Sequence, residues 1–318
     1  MAQRRSRPLV AAIAMVMLVP ACGQPVGSLA DLDGAVGIVG TVRDLAPVRI
    51  NGLVVATDAA MRIEADHGPA ALRTGQVVSL EARQVGGTLT AIAVRVRFEV
   101  SGPIEDIAAD GRSLRVLGQS VVIDPDRLIG GSTALRPSAL TVGQWLHVSG
   151  LRDAGGTIIA SRLDERPVGG EVSVRGLIEE RSGPNVRIGD LTVSGTALTD
   201  QPLAEARIVG SRRSDGVLEA RTVEFEPRMP FRGRFETVSL EGFVRGALLR
   251  QGFTIGAREV RYAAAGVGRG LALVPGQRVH ALGRPAADGG VIAIQVSEAD
   301  PALPRPPVTT RREPAATE

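Results

Sequence analysis

Alternating apolar residues with one fixed glycine recur four times along the chain. The pattern has an apolar residue at every second position and a glycine in the middle, and it occupies residues 36–42, 98–104, 172–178 and 238–244. Strict alternation indicates a β-strand with one buried face. A glycine inside such a strand indicates a bend or a close backbone crossing. The chain is therefore predicted to contain four copies of one β-rich unit.

Three further features follow the opening strand within each copy. A glycine after a branched or turn-forming residue predicts a hairpin, and a Leu-x-x-Gly-Gln motif precedes a later strand in every copy except the third. A closing strand carries an alanine at a fixed position. The hairpin glycines are Gly52, Gly118, Gly189 and Gly256, the glycine–glutamine pairs begin at Gly75, Gly143 and Gly276, and the alanines are Ala91, Ala160, Ala220 and Ala293.

These features predict an all-β fold of four tandem small OB-like or SH3-like β-barrels, each of about 60–70 residues. Small β-sandwiches are the alternative architecture. A core of this size is marginal for a free-standing domain, so we expect neighbouring units to pack on one another.

The three motifs resemble a bacterial family known as domain of unknown function 5666, over about residues 36–298. The resemblance implies OB-like barrels on exported bacterial proteins. It implies no activity and no catalytic residues, and the third copy departs most from the family pattern.

The N-terminal residues are typical of an export signal. Arginines at positions 4, 5 and 7 precede the uncharged segment Pro8–Leu18, which is too short to span a bilayer comfortably and has the length of a signal-peptide core. The sequence that ends at Cys22 resembles the bacterial lipoprotein processing site. This resemblance implies a lipid on Cys22, and Gly23 after it favours an outer-membrane anchor that faces the periplasm.

Two alternatives remain open for this segment, namely ordinary secretion with cleavage nearby and twin-arginine export. The expected organisation is a signal peptide (1–21), a lipidated tether (22–35), repeats at 36–97, 98–169 and 170–228, a linker with the fourth repeat (229–298), and a disordered proline-rich tail (299–318).

Composition removes several classes of function. All 37 basic residues are arginine, which excludes a Schiff-base lysine and a P-loop lysine. Once the three arginines of the signal are removed, the remaining arginines equal the 34 acidic residues, and aromatic residues make up only 3%. Nucleic-acid binding is therefore not expected. Cys22 is the only cysteine, so no disulfide can form within the chain.

Two groups of residues are candidates for binding. Arg228, Phe231, Arg232, Arg234 and Phe235 form a segment that could bind an anionic ligand or a partner. The preferred interpretation is that the two phenylalanines fill a seam between barrels.

Trp145 and His147 lie on one face of a strand and form the second group. His147 and His280 occupy equivalent positions in their copies, and alternation places both on the polar, solvent-facing side. Neither has a nearby cysteine or carboxylate in sequence, so no metal site or cofactor is expected.

No complete catalytic motif is present in the sequence. The leading hypothesis is a non-catalytic, lipid-anchored protein of the cell envelope that acts as a scaffold or binds a protein or an envelope polymer. The first alternative is an envelope hydrolase with a site at a barrel interface. The second alternative is an OB-type nucleic-acid binder.

Overall fold

The structure is a computed structural model, and it describes residues 34–58, 61–65, 68–69, 71–124, 128–131, 139–198, 204–225, 235–248, 251–263, 271 and 273–299. These residues form β-strands, turns and one short 3₁₀ turn at Thr196–Leu198. Among them, no helix has the length and apolar character needed to cross a membrane.

The strands fall into four units that follow the four sequence copies. Unit 1 contains β1 (Gly34–Leu45), β2 (Val48–Ile50), β3 (Leu53–Val55), β4 (Arg62–Ala65), β5 (Gly68–Pro69), β6 (Val77–Val85) and β7 (Thr88–Arg97). Unit 2 contains β8 (Val100–Ile107), β9 (Ser113–Val116), β10 (Gln119–Val122), β11 (Gly130–Gly131), β12 (Trp145–Arg152) and β13 (Ile158–Glu165).

Unit 3 contains β14 (Val172–Leu177), β15 (Glu180–Ser182), β16 (Asn185–Ile188), β17 (Leu191–Ser194), β18 (Glu205–Arg212) and β19 (Leu218–Phe225). Unit 4 contains β20 (Thr237–Leu248), β21 (Gly252–Ile255), β22 (Arg258–Tyr262), β23 (Arg278–Pro285) and β24 (Val291–Glu298).

Units 2 and 4 are closed barrels. In unit 2 the order of paired strands is β8-β9-β10-β13-β12 and back to β8, with β10 and β13 parallel. Unit 4 repeats this order as β20-β21-β22-β24-β23 and back to β20. A five-stranded barrel of this kind is the OB-like arrangement. The predicted all-β fold of small barrels is confirmed.

Units 1 and 3 have the same order of strands around the barrel. In each of them, backbone contacts outside the regular strand pairing close the ring of strands. In unit 1 an isolated bridge joins Ala56 to Thr90 on β7. In unit 3 the amide of Glu179 donates to the carbonyl of Arg187 over 2.9 Å.

The fixed glycine of each opening strand lies beneath the residue that precedes the hairpin glycine. A Cβ on Gly102 would stand 2.7 Å from Leu117 Cγ, and a Cβ on Gly176 would stand 2.7 Å from Ile188 Cγ2. The same relation joins Gly242 to Ile255 in unit 4. The glycine is needed because the hairpin folds directly over the opening strand.

The glycine–glutamine motif fastens a later strand to the opening strand of its own unit. In unit 1 the amide of Gly75 donates to the carbonyl of Val42, and the amide of Val42 donates to the carbonyl of Gln76, each over 2.8 Å. The third copy lacks the motif but retains a bond from the amide of Ile178 to the carbonyl of Ala204 (3.1 Å). Backbone pairing therefore survives the loss of the side chains.

The units pack directly against one another through their opening strands. β1 of unit 1 pairs in parallel with β20 of unit 4, and β8 of unit 2 pairs antiparallel with β14 of unit 3. Units 1 and 2 are joined by the Ser161 hydroxyl, which donates to the carbonyl of Gly75 over 2.6 Å. The opening strands consequently lie at a common junction.

The alternation predicts that these opening strands are buried on one face only, and this prediction is wrong. The face that points away from the barrel core is buried as well, including Ser101 (0% exposed), Arg175 (1%) and Glu241 (3%). The cause is the packing of each unit against its neighbours, which covers the side that a free barrel would leave in water.

We predict that Gly242→Ala destabilises the protein by about 1–3 kcal/mol, because the new methyl group would overlap the stiff, β-branched side chain of Ile255. Gly246→Ala on the same strand is the control, since its Cβ would meet only Thr254 Oγ1, 3.7 Å away. The measurement is the free energy of unfolding in urea. Equal losses in the two variants would contradict the repeat geometry.

Candidate functional site

A cavity of about 310 Å³ lies where the four units meet. Unit 1 contributes Val39, Val77 and Arg97, whereas the other units contribute both strand residues and turns. The hairpin turns at Gly118, Gly189 and Gly256 are equivalent positions of units 2, 3 and 4. The repeat itself therefore builds the walls of the cavity.

Ion pairs between units cross this junction. Glu205 of unit 3 lies 3.7 Å from Arg97 of unit 1 and 3.0 Å from Arg258 of unit 4. Glu99, between units 1 and 2, lies 3.0 Å from Arg152. An ionised side chain that is removed from water needs a partner of opposite charge, because an unpaired buried charge is strongly destabilising.

Glu241 is the most heavily paired carboxylate of the junction. Its Oε1 lies 2.7 Å from Arg278, 3.4 Å from Arg43 and 3.4 Å from the ring of His280, and its Oε2 accepts from the amide of Thr41 over 2.6 Å. Burial opposes ionisation, but Arg278, His280 and Arg43 outweigh it and hold the pKa of Glu241 far below its ordinary value. Glu241 is therefore a permanent anion that joins units 1 and 4.

Glu99 behaves in the opposite way. Burial raises its pKa above the ordinary value, and attraction to Arg152, Arg175 and Arg97 offsets the burial only in part. Arg152 donates to the Glu99 carboxylate from its Nε over 3.0 Å.

The other acids that line the cavity are also engaged. Glu179 lies 3.4 Å from Arg187, and Asp190 lies 2.5 Å from Arg115. Asp153 accepts from two amides of its own turn, each over 2.9 Å. Among the described residues, no cluster of histidine and acidic side chains has the form of a metal site.

Arg245 differs from the other arginines of the cavity. It is exposed, it lines the cavity from β20, and no ion pair or hydrogen bond of its side chain occurs among the described residues. By contrast, Arg97, Arg152, Arg187 and Arg258 are all paired with carboxylates. Arg245 thus presents to the cavity a guanidinium that is not neutralised by an ion pair within the described residues.

Trp145 and His147 lie outside the cavity. Both are near the Ser101 hydroxyl, His147 directly and Trp145 through Arg166. The His147 ring stacks on Phe98 with centroids 4.3 Å apart, and its Nδ1 lies 2.8 Å from the Ser101 hydroxyl. Arg166 lies 5.0 Å from the Trp145 ring centroid and donates to the same hydroxyl over 2.8 Å. The expectation that His147 faces solvent is wrong, because the ring is half-buried against Phe98 and Ser101.

His280 is also half-buried rather than solvent-facing, since it lies beside Glu241 on the neighbouring strand.

One residue of the arginine–phenylalanine segment lies within the described residues. Phe235 is half-buried and packs on an apolar cluster of Val238, Leu240, Val291 and Val39, which belongs to units 4 and 1. This is the environment that the seam interpretation requires of Phe235. Arg228, Phe231, Arg232 and Arg234 lie outside the described residues, as does Cys22.

Glu99, Glu241 and Arg245 belong to no motif that the sequence displays. A signal was nevertheless present, because the outward positions of the opening strands include Pro103, Leu177 and Phe243, which are poor choices for a solvated face. Apolar residues on both faces of a strand indicate burial on both sides.

Comparison with protein families matches two of the four units. The family model described as "Domain of unknown function (DUF5666)" matches residues 36–95 and 101–164, which correspond to units 1 and 2. The two matched regions are consistent with a DUF5666-like repeat protein. No curated protein matches it.

We predict opposite pH dependences for two buried glutamates. The pKa of Glu241 is lowered by folding, so its stabilising effect is present above pH 4.5 and is lost as the pH falls below that value. Glu241→Gln should therefore cost about 3 kcal/mol at neutral pH and progressively less in acid.

Glu99 is the matched case with the opposite sign. Its pKa is raised by folding, so the wild type loses stability as the pH rises above 4.5, and Glu99→Gln should improve relative to wild type in that direction. Urea unfolding at several pH values measures the difference in the free energy of unfolding between each variant and the wild type. Parallel pH profiles for the two variants would contradict the charge arrangement.

Proposed function

We propose that this protein is a non-catalytic, lipid-anchored protein of the cell envelope, whose four barrels form one scaffold with a binding cavity at their junction. The observation that carries the proposal is the cavity itself, which all four units line and whose acidic side chains are engaged within the protein. Such a site can hold a ligand, and these carboxylates are already paired with arginines of the protein.

The size and lining of the cavity support binding. Its volume lies at the lower end of the range of small-molecule sites, and its walls combine aliphatic side chains with many polar and charged ones. An envelope protein or polymer would be bound through a chemical group of this size.

The Ser101–His147 pair is the strongest argument for a hydrolase, and its surroundings speak against that role. A nucleophile needs access to substrate, whereas Ser101 is 0% exposed. Its oxygen also accepts a hydrogen bond from Arg166, which lowers its nucleophilicity. Turnover of an envelope ester, amide or glycoside that is lost in Ser101→Ala would contradict the non-catalytic role.

The envelope location rests on the N-terminal sequence, in which arginines, an uncharged apolar segment and Cys22 occur in the order of a lipoprotein signal. The near balance of arginines and acids after this segment argues against a role on nucleic acid.

We predict that Cys22→Ser abolishes acylation and leaves the precursor unprocessed, because the thiol is the only group that can carry the lipid at this site. The measurement is labelling of bacterial cells with a radioactive fatty acid, followed by fractionation. Wild-type protein should carry label and sediment with membranes. A Cys22→Ser variant that retains both label and membrane association would overturn the anchor.

A further inference from the structure

We propose that the junction cavity binds a small, hydroxylated, non-aromatic organic carboxylate, and that Arg245 is the side chain that holds the carboxylate group. This inference rests on the binding role proposed above and adds the chemistry of the ligand and the residue that selects it.

The repeat provides an internal comparison for Arg245. The equivalent residues of units 1, 2 and 3 are Arg43, Glu105 and Glu179, each directly after the last apolar residue of the opening pattern. All three are engaged in ion pairs, with Glu241 (3.4 Å), Arg212 (2.6 Å) and Arg187 (3.4 Å) respectively. Arg245 is the member of this set whose side chain has no such partner among the described residues.

Among the arginines of the cavity, Arg245 is the one to which an anion would bind most favourably. The other four arginines of the lining are paired with carboxylates, so an incoming anion would have to compete with an existing partner at each of them. At Arg245 it would compete only with water. A guanidinium binds a carboxylate through two parallel hydrogen bonds, a geometry that favours a planar anion.

The remainder of the lining indicates the body of the ligand. The described residues around the cavity include no aromatic side chain, so a flat ring would find no stacking partner. The walls instead offer glycine turns, the hydroxyls of Ser120 and Thr157, and aliphatic groups such as Leu151 and Ile255. Exposed backbone and hydroxyl groups fit a ligand that carries hydroxyls of its own.

The test is isothermal titration of the soluble chain, beginning at Gly23, with D-gluconate and with the uncharged polyol D-glucitol. We expect saturable binding of gluconate and none of glucitol. Arg245→Met keeps the length of the side chain and removes its charge, and it should weaken gluconate binding by about tenfold or more.

Two control variants distinguish binding in the cavity from the specific contribution of Arg245. Arg284→Met removes another exposed arginine of unit 4 that does not line the cavity, and it should bind gluconate as wild type does. Ala257→Trp places a large side chain in a turn that lines the cavity, and it should block binding.

The outcomes distinguish the inference from the function on which it rests. Gluconate binding that is blocked by Ala257→Trp but unchanged in Arg245→Met would overturn the role of Arg245 and leave the binding cavity intact. Equal binding of glucitol, or no binding of gluconate to wild type, would overturn the assignment of a hydroxylated carboxylate.

Discussion

The burial of paired charges between barrels is the constraint on which the rest of this structure depends. Moving a carboxylate or a guanidinium out of water costs several kcal/mol, and the cost is recovered only when the partner is correctly placed. At this junction the partners come from different units, as with Glu205 of unit 3 between Arg97 of unit 1 and Arg258 of unit 4. A unit that separated would leave buried charges without partners, so the four barrels are stable chiefly as one body.

The same junction explains why such small barrels suffice. Each unit encloses only a modest apolar core, and a barrel of this size on its own would be marginal. Pairing of β1 with β20 and of β8 with β14 extends two of the sheets from one unit into the next. Apolar contact continues across the boundary, where Val39 of unit 1 packs on Val238 and Leu240 of unit 4. Tandem repetition therefore supplies both stability and the shared cavity.

Much of the fold could be predicted from sequence because the repeat displays its own constraints. The glycine under the hairpin is required by a steric contact that recurs at Gly102 and Gly176, and alternation marks the strands that carry it. The backbone pairing that follows the Gly-Gln motif is retained even where unit 3 has lost the motif. These contacts form between residues of the same unit, so the sequence pattern of that unit predicts them.

The site could not be predicted because it depends on how the units are arranged. Glu99 and Glu241 stand at positions that alternation assigns to solvent, and only the neighbouring unit buries them. The alternation likewise does not predict that the His147 ring is half-buried, stacked on Phe98 with its Nδ1 2.8 Å from the Ser101 hydroxyl. Apolar outward residues such as Phe243 indicate that a strand is covered on both faces, but they do not indicate which copy covers it.

The most direct test of this account is differential scanning calorimetry of the soluble chain. If the charged junction makes the four units one body, unfolding should occur as a single transition in which the calorimetric and van't Hoff enthalpies agree. Separate transitions, or a van't Hoff enthalpy well below the calorimetric one, would show that the barrels unfold independently and would contradict the central role of the junction.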